Sequence, residues 1–97
     1  MWLERFMALE QSLNKIVNIL KTEGCSEVFL FGSYATGHAT ADSDIDIGVK
    51  GLVPAKFFSV YSRLETEIPE KIDFVDFDEQ VDFFDFLSSI GELKRLG

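Results

Sequence analysis

The chain has 97 residues, 46% of them hydrophobic and 27% charged, and a formal net charge of −8 at pH 7. This size and balance point to one folded domain over residues 1–97 and exclude a disordered polypeptide. The negative charge excludes a general nucleic-acid binder, which needs a basic face, and favours a metal-assisted site or a basic protein partner.

The first predicted element is an amphipathic helix over Trp2–Lys21. Leu3, Phe6, Leu9, Leu13, Ile16, Val17 and Leu20 recur at steps of three and four residues. Glu4, Arg5, Glu10 and Lys15 interrupt this stretch, so it does not read as a secretory leader. No apolar run in the chain is long enough to span a bilayer. Gly24 is a natural helix stop. Cys25, the one cysteine, reads as a small buried side chain at a strand start. A lone cysteine also suits a reducing cytoplasm.

Glu27–Phe31 ("EVFLF") reads as a buried strand. Gly32–Ser43 is rich in Gly, Ser, Thr and Ala, with a short helical turn within it. Asp44–Val49 ("DIDIGV") alternates as a second strand, with Asp44 and Asp46 on one face and Ile45, Ile47 and Val49 on the other. Gly51 and Pro54 turn the chain into a helix over Pro54–Thr66, which ends before Pro69. Lys71–Phe77 ("KIDFVDF") is a third strand. A last helix starts near Asp78, with Val81, Phe84, Leu87, Ile90 and Leu93 (or Phe83 and Phe86) on its apolar side. The order predicts an α/β fold: a small mixed sheet of about three strands flanked by helices. Ten phenylalanines are many for this length. Some would fill the core and others form a patch for a partner.

Two features carry chemistry. Carboxylates at i and i+2 of a strand project from one side, roughly 6.5–7 Å apart at the alpha carbons. They repel unless a cation joins them. Magnesium takes oxygen ligands of this kind together with substrate phosphates. Asp73 would add a third carboxylate if strand three lies beside strand two, a layout suited to a two-metal clamp on a phosphoryl group. Asp76 competes for that role from the opposite strand face. The simpler reading of Asp44 and Asp46 alone is a solvated strand end. The second feature is Gly32-Ser33, where glycine lets the backbone approach a phosphate and the Ser33 hydroxyl and nearby N–H groups can bind its oxygens. Ser33 can equally be a plain turn or capping residue. The loop lacks the glycine-lysine-serine/threonine ending of a Walker A motif. His38 reads as a solvated loop residue.

Gly32-Ser33, ten residues, then Asp44-x-Asp46 resembles the signature of the DNA polymerase beta-like nucleotidyltransferase superfamily. The flanking "FLFGSYATG", "SDIDIGV" and "KIDFVDF" agree with it. The length resembles the minimal nucleotidyltransferase branch, whose members are often the antitoxin partners of HEPN-domain toxins. The resemblance implies that Asp44 and Asp46 bind metal and that Gly32 and Ser33 form the triphosphate-binding turn. It also implies that Asp73 helps bind the catalytic metal and activates the acceptor hydroxyl. The implied reaction moves a nucleoside monophosphate, AMP from ATP, with one or two magnesium ions. In the toxin–antitoxin branch the acceptor is a tyrosine of the toxin.

Thr36 departs from the pattern, since many relatives carry arginine there and threonine supplies no positive charge. Lys50, Lys56 and Lys71 are the candidate substitutes. With no second domain to hold an acceptor, a HEPN-type toxin or a further copy of the chain would have to do so, in a homo- or hetero-oligomer. Two other functions fit the same residues: a non-catalytic antitoxin that masks a basic toxin, and a subunit of a small-molecule nucleotidyltransferase.

Overall fold

The computed structural model describes residues 2–97, Trp2 through its backbone alone; the Met1 end of the expected domain lies outside the described residues. Helix α1 spans Trp2–Thr22. Ser12, Ile16, Ile19 and Leu20 are its buried residues, but Leu3 and Phe6 of the expected stripe are 64% and 52% exposed. The helix closes as Gly24 takes a φ of +103° and the Cys25 N–H donates to the Leu20 carbonyl at 3.0 Å. Cys25 is buried as expected, and burial, chiefly, pushes its thiol up to about 11. An unreactive, packed thiol follows.

Strand β1 spans Glu27–Phe31, and the single turn α2 spans Ser33–Thr36. Strand β2 covers Ile45–Lys50. A 3-10 turn over Pro54–Lys56 leads into α3, Phe57–Glu67, and then β3, Ile72–Asp76. Helix α4 runs over Val81–Ser89, and β4 over Leu93–Arg95. The sheet order is β3-β2-β1-β4. β1 is antiparallel to both β2 and β4, and β2 is parallel to β3. The sheet is therefore mixed and flanked by helices, as the sequence predicts, but it has a fourth strand.

The last helix is shorter than expected at both ends. The Asp76 carbonyl accepts from the N–H groups of Glu79 and Gln80, so residues 77–79 form a turn before α4 begins. At the other end Gly91 takes a φ of +73°, and the Glu92 N–H donates back to Leu87 at 3.0 Å. Leu93, expected on the helix, instead pairs with Phe31 as the first residue of β4.

Two cores sit on the two sheet faces. Val28, Leu30, Ile45, Ile47, Val49, Ile72 and Phe74 face α1 and α3. On the other face Phe29, Phe31 and Phe77 pack under Phe83, Phe84 and Leu87 of α4. Burial of each large apolar side chain contributes about 1.5–3 kcal/mol before entropy is counted. The aromatic set also makes edge-to-face contacts, such as Phe31 with Phe83 at 5.5 Å between ring centroids. Gly48 is fixed by this packing, since a Cβ there would overlap the Phe77 ring. Seven phenylalanines are thus in or against the cores. Phe6, Phe58 and Phe86 are exposed, on three different helices. Among the described residues no helix is long and apolar enough to cross a membrane.

Candidate active site

The parallel pairing of β2 and β3 builds the site. Asp46 is the register partner of Phe31 on one side and of Asp73 on the other. Partners across a sheet point the same way, so one row on the α4 side reads Phe31, Asp46, Asp73. Asp44 stands two residues before Asp46 and shares its face by alternation. Its carboxylate lies 3.9 Å from Lys71 Nζ. Asp76 pairs with Val49 and turns to the other face. It is 5% exposed, and its Oδ1 accepts the Asp78 N–H at 2.9 Å. The structure thus puts Asp73 beside Asp46 and gives Asp76 the work of capping a strand end. Asp42 is exposed in the preceding turn.

Gly32 comes down onto this row. It has φ +70°, and a Cβ on it would overlap Asp46 Oδ2. Glycine is required twice over, by conformation and by space. The Gly32 carbonyl accepts the N–H groups of Ala35 and Thr36, which starts α2. Helix geometry leaves the Ser33 and Tyr34 N–H groups without intrahelical acceptors. Thr36 turns inward, its hydroxyl 3.3 Å from both the Gly32 and the Ser33 carbonyls. It stiffens the turn. His38 is exposed, with Nδ1 3.1 Å from Thr36 Oγ1. The loop then returns to β2 through Ser43, whose hydroxyl accepts the Thr40 N–H at 2.8 Å.

The electrostatics fit a cation. Partial burial, then the nearby charges of Asp73 and Asp44, raise the Asp46 carboxyl from 3.8 to about 6. Carboxylates that repel one another on one face are the hard oxygen donors of which a magnesium-type ion takes one or two from a protein. Among the described residues no three acidic, histidine or cysteine side chains are grouped so that they could hold a metal ion by themselves. An ion here would draw its remaining ligands from water and substrate oxygens, the usual habit of magnesium. The carboxylates lie on open sheet. A cleft of about 440 Å³ between the start of α1 and residues 39–41, lined by Phe6, Leu9 and Tyr34 among others, does not include them.

The pattern is matched by a family model. The model described as Polymerase beta, Nucleotidyltransferase covers residues 14–92. The chain belongs to that nucleotidyltransferase family. Solved structures with the nucleotidyltransferase's fold include a toxin-antitoxin with AMP-PNP. It is 26% identical with a TM-score of 0.70, over 88% of this chain and 72% of that one. A second is a tri-AMPylated Shewanella oneidensis HEPN toxin in complex with MNT antitoxin, at 22% identity and TM-score 0.65, over 91% and 71%. The toxin-antitoxin MntA-HepT matches with the same identity, TM-score and coverage. Comparison with curated protein sequences gives no match.

Of the site residues read from the sequence, Gly32, Asp44, Asp46 and Asp73 come together, with Ser33 on the adjoining turn. Phe31 and Phe83, which wall one side of the row, were hidden in an aromatic-rich sequence. Only the β1–β2 register identifies Phe31 as a neighbour of Asp46.

Proposed function

We propose that this nucleotidyltransferase transfers AMP from ATP to a hydroxyl of a partner protein, a tyrosine of a HEPN-type toxin, and acts in the cytoplasm as its antitoxin. The observation that carries the reading is the row Asp46–Asp73 lying directly under the Gly32 turn. Family membership supports nucleotidyl transfer. The likeness to a toxin-antitoxin solved with AMP-PNP supports ATP and an antitoxin role. The acceptor class comes from the tri-AMPylated HEPN toxin that accompanies the Shewanella antitoxin.

In this reading Asp44, Asp46 and Asp73 hold magnesium. The ion, when bound, neutralises phosphate charge and helps align the reacting groups. The Ser33 and Tyr34 N–H groups and the Ser33 hydroxyl receive the phosphate tail, which Gly32 allows to approach. Asp73, the exposed member of the row, takes the proton from the acceptor hydroxyl. The acceptor oxygen bonds to the alpha phosphorus as the bond to the beta phosphate breaks, and pyrophosphate leaves.

A second reading has one observation in its favour. Phe58 and Phe86 are 82% and 56% exposed on a chain of charge −8, which suits masking of a basic toxin by contact alone. One experiment separates the two. The protein is incubated with magnesium, ATP labelled at the alpha phosphate, and a HEPN-type toxin. The wild type labels the partner and the Asp44→Asn, Asp46→Asn double variant does not. Equal labelling defeats the enzymatic reading, and protection of cells by the double variant supports masking.

A further inference from the structure

The site as described is acidic, yet the tail it is proposed to receive is an anion. Thr36 brings no cation to the turn, and its hydroxyl is spent on the turn's own carbonyls. Most of the nine lysines and arginines are committed elsewhere. Lys56 and Arg63 pair with Glu23 behind the sheet, and Arg95 pairs with Glu27 at the far end of β1. Lys50 lies over the Phe84 ring at 3.7 Å. It is also four residues along β2 from Asp46, about 13 Å at the strand rise.

Lys71 is placed differently. It stands two residues before Asp73, so it shares the face of Asp73 by alternation. Continued by one residue, the β2–β3 register sets it opposite Asp44. Asp44, Asp46, Lys71 and Asp73 therefore form the corners of one cross-strand square, three anions and one cation. The Lys71 side chain is 79% exposed and its contact to Asp44 is long, at 3.9 Å. An exposed pair of that kind is weak, and the ammonium is free to swing to a stronger anion.

We propose that Lys71 is the phosphate-tail cation of this site: it leans on Asp44 in the free protein and transfers to the tail of an incoming nucleoside triphosphate. This rests on the nucleotidyltransferase reading above. Lysine serves such a role as a compact point charge on a flexible stem. The contact acts on the tail and not on the base or ribose, so its loss has a specific signature.

Isothermal titration calorimetry with ATP and with adenosine, both in magnesium, provides the test. Lys71→Gln is expected to weaken ATP binding about tenfold, the usual worth of one charged hydrogen bond, with adenosine binding unchanged. Lys71→Arg retains most of the ATP affinity. Lys94→Gln makes the same charge change on β4, opposite Leu30, and leaves ATP affinity at the wild-type value. Melting temperatures of the three variants match the wild type, as an exposed pair requires. Unchanged ATP affinity in Lys71→Gln overturns the assignment to Lys71 and leaves the nucleotidyltransferase reading standing. An equal loss in Lys94→Gln also overturns it, by showing a bulk charge effect. Absence of ATP binding by the wild type overturns both readings.

Discussion

Asp46 is held in a place that disfavours its own charge. Burial and two neighbouring carboxylates raise its pKa from 3.8 to about 6. The folded state therefore binds a proton there that the unfolded chain has released. Stability from this group is fully present below about pH 4 and is lost as pH rises through 6. Asp46→Asn should then melt a few degrees above the wild type at pH 7.5 without metal, on the order of 1 kcal/mol once solvent screening is allowed for. The difference should close towards pH 4. Identical melting curves at pH 7.5 would contradict the assignment. The same variant should lose nucleotidyl transfer, the trade of stability for function that active sites commonly show. Gly32 is the other demanding position. Gly32→Ala must push against Asp46 Oδ2 from a φ of +70°. Label transfer to the partner should fall about a hundredfold, the scale of a 1 Å misplacement. Transfer within twofold of wild type would show that the turn does not set the position of Asp46.

The elements that make the site are short, and how well the sequence announced each depends on its local pattern. β1 is a solid apolar run bounded by Gly32, and its limits were legible. Asp44 and Asp46 were legible as one face because alternation at β2 is strict. Pairing Asp73 with Asp46 was harder, because alternation alone places Asp73 and Asp76 on opposite faces without saying which faces Asp46. The parallel register settles that, and register is a property of two strands together. β4 was invisible. Three residues do not establish a period, and Leu93 falls in phase with the helix before it; the break is made by Gly91 and the carbonyl of Leu87. The inward face of α4 could not be read either, since Phe83, Phe84 and Phe86 are all apolar and only packing on Phe29, Phe31 and Phe77 selects the first two. That packing makes its own prediction. Gly48→Ala forces a methyl into the Phe77 ring and should cost about 1–3 kcal/mol, measured as a lower urea midpoint. A midpoint equal to wild type would mean that Phe77 can move aside.

Taken whole, the molecule divides its labour between two sheet faces. One is closed by α1 and α3 over mainly aliphatic side chains and Phe74, and provides stability. The other is closed over part of its area by α4 and leaves Asp46 and Asp73 open at the β2–β3 edge. Asp44, Asp46 and Asp73 are the part of the acidic surplus, −8 in all, that stands at that opening. This open patch is expected to gather a divalent ion and a nucleotide's phosphates. The most direct measurement is the anomalous diffraction signal from crystals of the protein with manganese and AMP-PNP. A manganese peak is expected within coordination distance of Asp46, with the phosphate tail on the Gly32–Ser33 turn. A manganese peak elsewhere, or a tail bound away from that turn, would contradict it.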